Sequence, residues 1–88
     1  MISVILVVYK AKKKLLNKFC KKISSRDNLI IINIDNYNFD KIKLPKKTQI
    51  INAKNNGYGA AINLGLKICK TKYAIISQID VNFKKNFI

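Results

Sequence analysis

The sequence predicts an α/β fold, with a mostly parallel sheet of about four strands and flanking helices. Two observations support this prediction. Continuous runs of aliphatic, often β-branched residues recur along the chain and are typical of strands buried on both faces. Between some of these runs, apolar residues repeat at helical spacing. The resulting order is strand, helix, strand, loop, strand, helix, strand, which favours parallel pairing with right-handed crossovers.

The first predicted strand is the uninterrupted apolar run from Ile2 to Tyr9. It is far shorter than the roughly 20 apolar residues that cross a membrane, and no basic segment precedes it as in a secretory leader. A helix should follow, because apolar residues recur at helical spacing while lysines fill the other face. The apolar stripe is formed by Leu15, Leu16, Phe19, Cys20 and Ile23.

The remainder of the chain continues this alternation of strands and helices. A second strand is predicted over Leu29–Ile34, and a loop punctuated by Pro45 over Tyr37–Lys47. The later predicted elements are a third strand at Thr48–Ala53, a helix with its apolar stripe at Ala60, Ala61, Leu64, Ile68 and Cys69, a fourth strand at Tyr73–Ile79, and the beginning of another element at Phe83–Ile88.

The composition is strongly basic, with a formal net charge of +14. Arg26 is the single arginine, although arginine is the residue favoured for bidentate phosphate and base contacts. A lysine-rich, solvated surface is therefore the first interpretation, and an RNA-binding module is the alternative. The sequence has no histidine, and Cys20 and Cys69 fit no metal-binding spacing. We expect both cysteines to be buried, reduced thiols, which suits a cytoplasmic protein.

All three glycines lie within the segment NNGYGAAINLGL, residues 55–66. A dinucleotide-binding fingerprint is excluded, because Ile62 stands where its third glycine should be, and no G-K-[ST] follows as in a phosphate loop. We expect Asn56 and Gly57 to form a turn, and Gly59, Ala60 and Ala61 to let the second helix begin close to the sheet.

Asp35 and Asp80 directly follow predicted buried strands. In parallel sheets, ligands bind at the carboxyl ends of the strands, near the point where strand order reverses. Both carboxylates are therefore candidate site residues, although aspartate is also common in turns.

The sequence also resembles the donor-binding half of family 2 glycosyltransferases. Four stretches carry the likeness in the family's order: SVILVVYK, IINIDN, NNGYGAAINLGLKICKTKYAIIS and QIDVNF. They span almost all of the 88 residues and are most similar to the rhamnosyltransferase-like branch. The resemblance implies a partial GT-A domain, a Rossmann-like fold, over residues 1–88.

The resemblance further implies where the ligands bind. The implied nucleotide-sugar site consists of Val8, Tyr9, Asp35, Asn36, Asn56, Gly57 and Gly59. Asp80 matches the last aspartate of the family's D-x-D motif, which holds a divalent cation, Mg²⁺ or Mn²⁺, against the diphosphate. The motif here begins with Gln78 in place of aspartate, so we expect weaker metal binding than from two carboxylates.

In the family, the acceptor site and catalytic base lie beyond the D-x-D strand. The resemblance therefore implies a glycosyltransferase fragment that binds a nucleotide-sugar donor for transfer to a saccharide or lipid-linked acceptor in cell-surface polysaccharide synthesis. No catalytic residue is predicted, and a second chain could supply the acceptor half. The expected setting is cytoplasmic, with peripheral association at the inner membrane surface and no specific nucleic acid. The open alternatives are an inactive remnant and a non-enzymatic, lysine-rich module that binds RNA or anionic surfaces.

Overall fold

The computed structural model describes residues 2–78 and confirms the predicted fold class. Four strands form one sheet in which every neighbouring pair is parallel, in the order β3-β2-β1-β4. The elements are β1 Ser3–Val8, α1 Lys13–Lys21, β2 Asn28–Asn33, β3 Thr48–Asn52, α2 Tyr58–Ile68 and β4 Ala74–Gln78.

The predicted strands agree closely in position with the observed ones. The inner strands β1 and β2 are buried, as continuous apolar runs indicate. The burial predicted for the fourth strand was wrong, because β4 is an outer strand whose Ile75 and Ile76 are 49% and 45% exposed. β1, β2 and β3 each begin and end within one residue of the predicted bounds, and β4 begins one residue later than predicted. The end predicted for the fourth strand at Ile79 and the element predicted at Phe83–Ile88 lie outside the described residues.

Strand β1 is the inner strand at which the strand order reverses. The chain adds β2 and β3 on one side of β1 and then returns to add β4 on the other. The register places Val8 opposite Asn33, and Asn33 opposite Asn52, while Val7 lies opposite Gln78. The carboxyl ends of β1 and β4 thus form the switch point where ligands bind in open parallel sheets.

Helix α1 and the connection between β2 and β3 cover one face of the sheet. Leu16, Phe19 and Cys20 of the helix are buried against apolar side chains of β1 and β2. Ile42 from the connection joins the same cluster and is 8% exposed. Leu15 was predicted to belong to the buried stripe but is 38% exposed. The buried stripe of this short helix consists of Leu16, Phe19 and Cys20, and Leu15 lies outside it.

Helix α2 covers the opposite face, where it packs on Ile5, Val7, Ile30 and Ile32. Its closest approach to the sheet is at Gly65, where an added Cβ would lie 2.6 Å from Cγ2 of Ile5. The prediction had assigned this role to Gly59, Ala60 and Ala61. Ala61 does pack on the sheet and is 4% exposed. The assignment was wrong for the other two, because Ala60 is exposed and a Cβ at Gly59 would meet nothing within 4 Å.

The two thiols occupy different environments. Cys20 is buried and free, as predicted. Cys69 is also free but only half-buried, so its predicted burial was wrong. Helix α2 ends at Ile68, and Cys69 follows the helix, where its Sγ lies 3.4 Å from Oγ1 of Thr71.

Candidate functional site

The carboxyl edge of the sheet carries most of the residues selected from the sequence. Tyr9 follows β1, Asp35 and Asn36 follow β2, and the glycine corner at residues 54–57 leads from β3 into α2. Because all the strands are parallel, these segments lie at one edge. Asp80 follows β4 in sequence but lies outside the described residues.

A short hydrogen bond connects the ends of β1 and β2. The backbone N–H of Lys10 donates to Oδ2 of Asp35 at 2.6 Å. Lys10 and Asn36 both have left-handed backbone conformations, with φ of 51° and 55°. Such conformations cost free energy in residues other than glycine and tend to occur at functional sites. The Asp35 carboxylate therefore braces the loop after β1, and its exposed side chain can still accept a hydrogen bond from a ligand.

The buried amide of Asn33 holds the turn that carries Asp35 and Asn36. Asn33 is 2% exposed, and its Nδ2 donates to the Tyr37 carbonyl at 3.0 Å and to Oδ1 of Asn52 at 3.1 Å. Its Oδ1 accepts the Tyr37 N–H at 3.0 Å. The sequence reasoning did not select Asn33, although it is the one polar residue within Leu29–Ile34.

Two tyrosine rings are accessible at this edge. Tyr9 is 46% exposed, and Nζ of Lys10 lies 5.2 Å from its ring centroid, which is a cation–π distance. Tyr58, the first residue of α2, is 40% exposed. Tyr58 was not among the selected residues, although an aromatic residue between two glycines was a visible signal. Exposed rings of this kind can stack on a planar ligand.

The glycine corner forms the predicted turn and starts α2. Gly57 has φ of 98°, a conformation that favours glycine, and its N–H donates to Oδ1 of Asn55 at 3.3 Å. The N–H of Asn56 donates to the Lys54 carbonyl at 3.0 Å. No side chain caps the start of α2, so its first N–H groups can donate to an oxygen-rich ligand.

The remaining selected residues differ in accessibility. Val8 is fully buried beneath α1, and its carbonyl accepts the Ile34 N–H at 3.3 Å, so its side chain belongs to the core. Asn36, Asn56 and Gly59 are exposed.

The described residues do not by themselves provide a metal site. Within residues 2–78, no group of three or more histidine, cysteine, aspartate or glutamate side chains is arranged to hold a metal ion. The predicted cation site therefore depends on Asp80, outside this range.

Comparison of the chain with models of protein families, with curated proteins and with solved structures found no match. Within residues 2–78, no helix is both long and apolar enough to cross a membrane.

Proposed function

We propose that this chain is the nucleotide-sugar-binding part of a glycosyltransferase with a partial GT-A domain. The observation that carries the proposal is the 2.6 Å hydrogen bond from the Lys10 N–H to Asp35. It ties together the ends of two parallel strands, and those ends bear the tyrosine and aspartate that the family resemblance assigns to the nucleobase. A rigid edge of this kind suits the binding of a planar ring.

Each residue in the proposed site has a physical role. The exposed ring of Tyr9 packs against the nucleobase, and Asp35 accepts a hydrogen bond from a base N–H group. Asn36 borders the base, while Asn56, Gly57 and Gly59 line the nucleoside. The backbone of Val8 borders the pocket from the end of β1.

The diphosphate is the most highly charged part of the proposed ligand. A Mg²⁺ or Mn²⁺ ion held by Asp80 would supply neutralising charge for its oxygens. Sugar transfer also requires a base that deprotonates the acceptor hydroxyl, and the resemblance assigns no residue of this chain to that role. We therefore propose that these 88 residues bind a nucleotide diphosphate weakly and transfer sugar negligibly.

Calorimetric titration with UDP, dTDP and GDP, with and without Mn²⁺, tests the proposal. The informative variant is Asp35→Asn, because asparagine can still accept the Lys10 N–H but loses the charge and one acceptor. Asp40→Asn is the matched control, since it removes the same charge from an exposed loop residue. We expect about tenfold weaker nucleotide binding in the first variant and unchanged binding in the second.

Asp80→Ala tests the cation separately and should abolish the dependence on Mn²⁺ while preserving the fold. Failure of all three nucleotides to bind the wild-type chain would overturn the proposal. Equal effects of the Asp35 and Asp40 substitutions would also contradict it.

A further inference from the structure

The layer formed by α1 and the β2–β3 connection concentrates positive charge on one side of the molecule. Its exposed lysines, which we call the basic face, are Lys12, Lys13, Lys14, Lys18, Lys21, Lys22, Lys41, Lys43, Lys46 and Lys47. Asp40 is the one acidic residue in the two segments that carry them, residues 12–22 and 37–47.

The fold joins these two segments into one layer. The N–H of Lys43 donates to Oδ1 of Asn17 in α1 at 3.3 Å. Ile42 is buried in the same cluster as Leu16 and Phe19 of α1. The two lysine groups, far apart in sequence, therefore cover the same face of the sheet.

Among residues 2–78, the opposite side of the sheet is much less basic. Helix α2 has Lys67 as its single charged residue, and the connections before and after it add Lys54, Lys70 and Lys72. A lysine excess that came only from biased composition would not be expected to gather on one layer. The asymmetry therefore favours a partner for the basic face.

The chemistry of the basic face fits a diffuse anionic surface better than a nucleic acid. Its cations are lysines, which act as point charges, without the planar guanidinium that binds phosphates and bases in a bidentate manner. Tyr37 and Phe39 of the same layer are half-buried and pack edge to face, with centroids 4.9 Å apart, so they offer no platform for base stacking.

We propose that the basic face docks the protein on an anionic phospholipid membrane. Clusters of several lysines bind such membranes through additive electrostatic attraction. Leu15 is 38% exposed on α1, next to Lys14, and adds an apolar group that can enter the interface between headgroups and acyl chains. The proposal is independent of nucleotide binding, because it concerns a face of the sheet and not the carboxyl edge.

Co-sedimentation with vesicles tests this proposal. The wild-type chain should bind vesicles of phosphatidylcholine with about 30% phosphatidylglycerol, and should not bind phosphatidylcholine alone. Raising the salt concentration should weaken this binding, since screening acts on exposed charges.

Two triple variants with equal loss of charge provide the decisive comparison. Lys14→Gln, Lys18→Gln and Lys21→Gln together remove charge from α1, and we expect at least about tenfold weaker vesicle binding. Lys67→Gln, Lys70→Gln and Lys72→Gln together remove the same charge from the other side and should have a much smaller effect. Circular dichroism establishes that both variants fold.

Three results would overturn the proposal. Equal losses in the two triple variants would indicate attraction by net charge alone. Equal binding to neutral and anionic vesicles would exclude an electrostatic origin. Tighter binding of single-stranded polyuridine than of anionic vesicles, lost in the α1 variant, would assign the basic face to RNA.

Discussion

Asn33 is the buried polar residue on which the geometry of the candidate site most directly depends. Its side chain joins β2 to β3 and to the turn that follows β2, through hydrogen bonds of 3.0 to 3.1 Å. Asn33 itself is 2% exposed, so its amide depends on these hydrogen bonds and not on water. Asn33 therefore stabilises the fold and positions Asp35 at the same time.

We predict that Asn33→Ala lowers the free energy of unfolding by about 2–3 kcal/mol, because it removes a buried donor and acceptor. Asn52→Ala, which loses one of the same hydrogen bonds, should cost about 1 kcal/mol. Urea denaturation measures both values. Asn63→Ala, at an exposed position in α2, is the control and should be neutral or slightly stabilising.

The two thiols should differ in reactivity at the same pH. A hydrogen bond with Ser3 has the larger effect in lowering the pKa of Cys69, and a hydrogen bond with Thr71 adds to it. Burial raises the pKa of Cys20. The thiolate is the reactive form, so half-maximal alkylation of Cys69 should occur at a lower pH than for an unperturbed thiol. Half-maximal alkylation of Cys20 should occur at a higher pH than for an unperturbed thiol.

Iodoacetamide labelling followed by peptide mass spectrometry measures both rates in the native protein. Thr71→Val should move the profile of Cys69 to higher pH, since it removes a hydrogen-bonding hydroxyl. Faster labelling of Cys20 than of Cys69 in the native state would contradict the prediction, and the two rates should converge in denaturant.

At the scale of elements, the contact of α2 with β1 depends on the absence of a side chain at Gly65. The nearest group is Cγ2 of Ile5, which belongs to a fully buried, β-branched side chain with little rotational freedom. A methyl group at Gly65 therefore requires the helix and the strand to separate.

Alanine substitutions at Gly65 and Gly59 should have opposite effects on stability. Gly65→Ala should lower the free energy of unfolding by about 1–3 kcal/mol, because overpacking exceeds the gain in helix propensity. Gly59→Ala should raise it by up to about 1 kcal/mol, since the added Cβ meets no atom within 4 Å. Thermal and urea unfolding of both variants measure these changes, and a stabilised Gly65→Ala would show that the two elements are not tightly packed.

The positions of the inner strands β1 and β2 were predictable because burial on both faces requires an unbroken apolar run. The exposure of the outer strands β3 and β4 was not, since their apolar residues look alike in the sequence. The sequence did not show which helix residues meet the sheet, so Leu15 and Gly59 were assigned to contacts that they do not make. The contacts of Asn33 and the bond between Lys10 and Asp35 join residues from different elements, and no local pattern encodes them. The edge that carries Asp35 was predictable from parallel topology alone.

At the scale of the whole molecule, the net charge of +14 should oppose compaction. We predict that raising NaCl from about 0.02 M to about 0.3 M increases Tm, because salt screens repulsion between exposed lysines. A gain of about 1 kcal/mol corresponds to a rise of about 4–8 °C for a domain of this size. Differential scanning calorimetry measures the shift.

The triple substitution of Lys14, Lys18 and Lys21 by glutamine serves as the control for this salt effect. With fewer charges on α1, its Tm should respond less to NaCl than that of the wild type. A falling Tm, or an identical response in the variant, would contradict the screening explanation.

The inner position of β1 has a consequence for synthesis of the chain. Ser3 pairs with Ala74, so one side of the first strand has no β4 partner until residues up to Gln78 have been made. At about 5–20 residues per second, this interval lasts roughly 4–15 s. During that time the nascent chain presents an apolar strand edge, which is a site for chaperone capture or for aggregation. Translation speed should therefore influence the yield of folded protein.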